Sequence, residues 1–166
     1  MGGSCSTNKT QVSDRELQYI FQKFDENGDQ TVDHDELEKF MSSIGFDLPK
    51  DVIKAMMILA DDNGDGILQK KEFKKFVPII LDTESLAEII YKVADEDGNG
   101  IIDVKEFTKL RSKMGWEAIK LPETQLSKME FIELINPMLA QFEGQIQQDQ
   151  GKKDQFKTEM KSNVVK

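Results

Sequence analysis

Asp61-Asp62-Asn63-Gly64-Asp65-Gly66-Ile67-Leu68-Gln69-Lys70-Lys71-Glu72 decides the architecture. Within twelve residues it sets side-chain oxygens at positions 1, 3 and 5 and closes on a glutamate at position 12. The same arrangement recurs in Asp25-Glu26-Asn27-Gly28-Asp29-Gln30-Thr31-Val32-Asp33-His34-Asp35-Glu36 and in Asp95-Glu96-Asp97-Gly98-Asn99-Gly100-Ile101-Ile102-Asp103-Val104-Lys105-Glu106. A hard cation that takes six to eight oxygens from one tight loop needs such a set. One match of this kind arises by chance; three in one chain do not.

The ligand roles follow from the geometry of such a loop. Asp25, Asp61 and Asp95 open the three loops, and Asn27, Asn63, Asp97, Asp29, Asp65 and Asn99 supply further side-chain oxygens. Thr31, Ile67 and Ile101 give a backbone carbonyl, so their side chains are free to vary. Asp33, Gln69 and Asp103 act through a water, while Glu36, Glu72 and Glu106 reach back with both carboxylate oxygens, which favours calcium over the smaller, strictly octahedral magnesium. Loops one and three each carry four acidic side chains at ligand positions, and loop two three, so loop three is expected to bind tightest.

Loop one departs at position 6. The chain turns sharply there and usually needs glycine, as at Gly66 and Gly100, but this loop has Gln30. Holding a non-glycine residue left-handed costs roughly 1–2 kcal/mol, so the first of three expected calcium sites is read as weakened.

Apolar residues at helical spacing flank every loop. Leu17, Ile20, Phe21 and Phe24 precede loop one and Leu37, Phe40 and Met41 follow it; Met57, then Phe73 and Phe76, flank loop two; Tyr91, then Phe107 and Leu110, flank loop three. Ser13 with Glu16 forms a capping box, and Pro49 suits the first turn of the helix leading to loop two. At position 8, Val32, Leu68 and Ile102 suit a short antiparallel strand joining paired loops.

With those residues, the chain from about Ser13 to Leu110 resembles the EF-hand proteins of the calmodulin and troponin C superfamily. The resemblance implies an all-α EF-hand fold of two helical lobes with short antiparallel strand pairing between loops. It also implies calcium binding and, in sensor members, an apolar groove that opens for a target helix. The expected organisation is a flexible leader over 1–12, a first EF-hand pair over 13–81, a second lobe over 82–142 with one working hand, and a polar tail over 143–166 that frays.

Loops one and two begin 36 residues apart and form an ordinary pair. Loop three lacks a proper partner. The nearest remnant is 119–130, with Leu126 at position 8 and Glu130 at position 12, but Ile119, Leu121 and Glu123 are no calcium ligands. Gln125-Leu126-Ser127 either pairs beside Ile101-Ile102-Asp103 or is a plain linker. Val77-Pro78-Ile79-Ile80-Leu81 puts a helix breaker inside an apolar run, which opposes one long exposed central helix and predicts either that the two lobes pack compactly on each other or that the C-terminal region covers this segment. A stripe of Phe131, Ile135, Met138, Leu139 and Phe142, broken at Asn136-Pro137, is expected to cover the protein's own apolar surface.

A net charge of −9 over 166 residues opposes the sign that nucleic acid requires. No apolar run approaches the ~20 residues of a membrane span and no secretory h-region is present, so the expected location is the cytoplasm or the cytosolic face of a membrane. Met1-Gly2-Gly3-Ser4-Cys5-Ser6 fits the N-myristoylation pattern, with Gly2 as acceptor and Cys5 as a palmitoylation candidate. One histidine and one cysteine exclude a transition-metal set and a hydrolase triad, so no enzyme is expected. His34 and Lys70, Lys71, Lys74 and Lys75 read as solvated surface, and Trp116 as partly buried. The eight methionines, Met41, Met56, Met57, Met114, Met129 and Met138 among them, are core filler or lining of an adaptable groove. Two function classes remain: a monomeric calcium sensor that engages a protein target through an amphipathic helix, or a cytosolic calcium buffer that opens little.

Overall fold

Eight helices and three two-stranded antiparallel pairs form the fold in a computed structural model that describes residues 11–143 and 147–164. Helix α1 (Asp14–Phe24) starts at the expected capping box: the Ser13 hydroxyl accepts from the Glu16 amide at 3.3 Å and the Glu16 carboxylate from the Ser13 amide at 2.6 Å. It buries Leu17, Ile20, Phe21 and Phe24. Strand β1 (Thr31–Val32) and helix α2 (His34–Ser43) complete the first hand; helix α3 (Lys50–Ala60), strand β3 (Leu68–Gln69) and helix α4 (Lys70–Asp82) make the second. Val32 faces Leu68 across the β1–β3 pair, and both are fully buried. Pro49 caps α3 from outside, one position before the first turn.

The second lobe repeats the plan. Helix α5 (Leu86–Ala94), strand β4 (Ile101–Ile102) and helix α6 (Val104–Met114) form hand three. Strand β5 (Leu126–Ser127) pairs with β4, Leu126 opposite Ile102, and helix α7 (Lys128–Glu143) follows. The pairing alternative for 125–127 is therefore the one adopted. Phe131 on α7 lies 5.9 Å from Tyr91 and 6.3 Å from Phe107, ring centre to ring centre, and Ile135 and Leu139 are buried beside it. The stripe thus covers hand three as the exit helix of its degenerate partner, without the break expected at Pro137, which lies exposed inside α7. The side chain of Phe142 is outside the described residues.

Pro78 does not end a helix either. Helix α4 continues to Asp82, because Val77, Ile80 and Leu81 are buried around the proline and hold the last turn in place. The Thr83 hydroxyl donates to the carbonyls of Ile79 and Ile80 at 2.9 and 3.3 Å, satisfying two acceptors at the helix end. The chain then turns into α5, so no long central helix forms. The halves pack as expected: α3 lies on α6, and the Lys113 ammonium donates to the Asp61 carbonyl at 3.0 Å. Among the described residues no helix is long and apolar enough to cross a membrane.

The C-terminal region corrects the expectation of fraying. Strand β6 (Gln147–Gln148) pairs with β2 (Phe46–Asp47), and helix α8 (Gln150–Val164) lies against α1 and α2. Phe156, Met160 and Lys153 are buried there. Val12, at the end of the expected leader, packs partly buried on the core, and residues 1–10 lie outside the described residues. Gly2 and Cys5 lie outside the described residues.

Burial pushes the Lys153 ammonium down to about 8, with Lys157 adding repulsion while Glu84, Asp82 and Asp154 oppose the shift. This lies below the ordinary lysine value of 10.5, so between these limits the unfolded chain binds more protons than the folded one. The contribution of Lys153 to stability is therefore lowest below pH 8 and rises as pH climbs from about 8 towards 10.5. Urea unfolding at pH 7 and pH 9.5 is expected to show this gain relative to Lys153→Met, which cannot titrate.

Candidate metal centres

Each loop is held by the same backbone bonds. Its first aspartate accepts from amides four or five residues on, or three and five in loop two: Asp25 from Asp29 and Gln30 at 3.1 and 3.0 Å, Asp61 from Gly64 and Gly66 at 2.7 and 2.8 Å, Asp95 from Asn99 and Gly100 at 3.1 and 2.9 Å. The closing glutamate bridges position 2 and position 9. Glu36 accepts from Glu26 and Asp33, both at 3.0 Å; Glu72 from Asp62 and Gln69, both at 2.9 Å; Glu106 from Glu96 and Asp103, both at 3.0 Å. Glu36, Glu72 and Glu106 are buried carboxylates at the start of α2, α4 and α6. Among the described residues none of the three forms a salt bridge, which suits a bound ion.

The remaining predicted residues line the same turns. Asp29 accepts from the Thr31 amide and hydroxyl at 2.8 and 2.6 Å, and these bonds hold its carboxyl below the ordinary carboxylate value. Asp65 is lowered in the same way by the Ile67 amide, with Asn63 and Gln69 contributing. Asn27 and Asn63 accept from the amides of Asp29 and Asp65, and Asp97 and Asn99 from those of Asn99 and Ile101. Asp33 and Asp103 cap α2 and α6 by accepting from Glu36 and Glu106 at 2.9 and 2.8 Å. Gln69 donates to Asp65 at 3.0 Å. In loop three one oxygen each of Asp95, Asp97 and Glu106 come within 4.8 Å of one another. Among the described residues no other loop gathers three carboxylates so closely. Every donor here is a hard oxygen, and the set fits calcium.

Gln30 has φ +69 and is the one non-glycine residue with positive φ among those described. The strain expected at position 6 is therefore present in the backbone.

A repeated lysine escaped the reading of the sequence. Lys39, Lys75 and Lys109, thirteen residues after Glu26, Asp62 and Glu96, each bond the position-2 carboxylate, at 2.5 Å in the first and 2.7 Å in the second. Aligning the three hands shows it as an acid at position 2 and lysine at position 15. The pairs are exposed, so each adds little to stability and ties the loop to its exit helix. Lys75 and Lys74 of the basic cluster face Asp62 and Asp14, and His34 is half-buried near the Lys50 carbonyl.

Family comparison agrees with this geometry. Models of the EF-hand domain pair match residues 14–77 and 82–110. The chain is an EF-hand calcium-binding protein of the calmodulin superfamily. This EF-hand chain is 41% identical over 58 residues to calmodulin-like protein 2 of Arabidopsis thaliana, over 35% of its own length and 38% of the relative's. It is 41% identical over 58 residues to polcalcin Cup a 4 of Hesperocyparis arizonica, covering 35% of each. With calmodulin-like protein 5 of Arabidopsis thaliana it shares 32% identity over 79 residues, covering 48% of this chain and 37% of the relative. The chain thus matches well under half the length of these relatives.

Proposed function

We propose that the protein is a calcium sensor with three working loops, 25–36, 61–72 and 95–106. Ligands are Asp25, Asn27, Asp29, Thr31, Asp33 and Glu36 in the first; Asp61, Asn63, Asp65, Ile67, Gln69 and Glu72 in the second; Asp95, Asp97, Asn99, Ile101, Asp103 and Glu106 in the third. Thr31, Ile67 and Ile101 contribute carbonyls. One observation carries the sensor reading over the buffer: Phe24 on α1 and Phe40 on α2, the helices that flank loop one, meet under a separate helix, α8. To give both oxygens to an ion, Glu36 must leave its present amides and carry the start of α2 with it. A shift of α2 against α1 is then felt at that covered surface, where a protein target binds. Dye-binding fluorescence tests this: calcium is expected to raise the signal several-fold over chelator, and equal signals would leave a buffer.

Gln30→Gly is expected to tighten loop one by about tenfold or somewhat more where all of the 1–2 kcal/mol of the left-handed turn falls on the ion-bound state. Calorimetry checks it; unchanged or weaker binding would contradict strain as the cause of a weak first site. We also propose acylation at Gly2 and Cys5, two chains being what stable anchoring takes. Protein made in a eukaryotic cell is expected to fractionate with membranes, Gly2→Ala to become soluble and Cys5→Ser to be held loosely. An unmodified N-terminus by mass spectrometry would end that proposal.

A further inference from the structure

The apolar surface of the first lobe already holds a helix, and that helix shows what the surface recognises. Helix α8 places Lys153, Phe156 and Met160 at i, i+3 and i+7, which is one stripe of a helix. Phe156 lies 6.2 Å from Phe24 and 6.0 Å from Phe40 between ring centres, and Met160 is fully buried. The Lys153 ammonium donates to the Thr83 carbonyl, where α4 ends, and sits 5.0 Å from the centre of the Phe46 ring. At the rim Lys23 pairs with Glu159 at 2.8 Å. The three anchors are the only buried residues among the fifteen of α8, so they carry its apolar contact with the groove. Four lysines against Asp154 and Glu159 give α8 a net charge of +2 in a chain of −9, so charge favours its seat. Ahead of α8, the Asp149 amide donates to the Gly45 carbonyl at 2.7 Å, and a Cβ on Gly45 would meet the Asp149 carbonyl at 2.1 Å.

We infer that α8 is an internal occupant of the target groove, and that the external partner is a positively charged helix that displaces it. The partner presents a cation, an aromatic ring and a thioether or aliphatic side chain at i, i+3 and i+7. This rests on the target-binding reading above and specifies its ligand. A tethered helix competes at an effective concentration of about a millimolar, which masks an affinity of about ten micromolar by roughly a hundredfold. The partner therefore needs a better stripe than the three anchors of α8, or a loosened α8.

A fluorescein-labelled peptide of residues 149–164, titrated into the full chain in saturating calcium and followed by anisotropy, tests this. Two lesions free the groove by different routes: Phe156→Ala with Met160→Ala removes the anchors, and Gly45→Ala pushes away the segment leading into α8. Both are expected to bind the peptide ten- to a hundredfold more tightly than the wild-type chain, while a peptide carrying the two alanines binds neither. Circular dichroism confirms that each variant is folded. Equal binding by wild type and both variants, or by none, overturns the inference, as does a dimer on size exclusion that exchanges α8 and leaves no site for the peptide. Calcium uptake measured on the same samples separates the two readings: normal uptake without competition overturns this inference alone, and absent uptake overturns the sensor.

Discussion

Replacing Glu106 by Gln is expected to weaken calcium binding at loop three by roughly a hundredfold while leaving two other ions bound. The substitution keeps the side-chain shape but removes the charge and one of two metal-facing oxygens, a loss on the order of 2–3 kcal/mol. It also turns an amide NH2 towards a backbone N–H. Glu106 now accepts from both Glu96 and Asp103 at 3.0 Å, and glutamine can serve only one of them with an oxygen. The other amide loses its partner, at a further cost of roughly 1–3 kcal/mol that falls on the ion-free hand. Calorimetry should therefore show one site lost and the melting temperature lowered before any calcium is added. Three sites of unchanged affinity would contradict the assignment of Glu106.

Phe40→Ala is expected to destabilise the protein by about 3–5 kcal/mol, the range for removing a buried aromatic side chain. Phe40 is fully buried, with ring centres of Phe24 at 5.1 Å, Phe73 at 5.3 Å and Phe156 at 6.0 Å. It thus joins both hands of the first lobe to α8, and its loss opens a cavity touching three helices at once. A domain is commonly stable by only 5–15 kcal/mol, so the variant is expected to lie near the edge of folding. Denaturant unfolding measures it; a loss below about 1 kcal/mol would mean that α8 or neighbouring side chains refill the space.

The three loops were legible because calcium chemistry fixes residue types at fixed positions, and the helices around them because Leu17, Ile20, Phe21 and Phe24 recur on one face. The fourth loop was half legible. Its ligands are gone, yet Leu126 kept the position-8 strand and Phe131 the exit helix, since the working hand still needs both for packing. Helix α8 was hidden for a physical reason: fifteen residues with two buried apolar anchors and a buried lysine carry almost no periodic signal, so the helix is held by the groove rather than by its own pattern. Pro78 and Pro137 misled in the opposite direction. Each is only partly buried or exposed, so its missing N–H strands little, while buried neighbours on both sides hold the helix straight through. The lysine at position 15 was visible in principle, but only by aligning the hands beyond their metal ligands.

Calcium titration of the full chain by calorimetry, with native mass spectrometry for the count, tests the central claim most directly. Three ions per chain are predicted, with dissociation constants of about 10⁻⁷–10⁻⁵ M, loop three tightest and loop one weakest. Fewer than three ions, or uptake only at millimolar calcium, would contradict it.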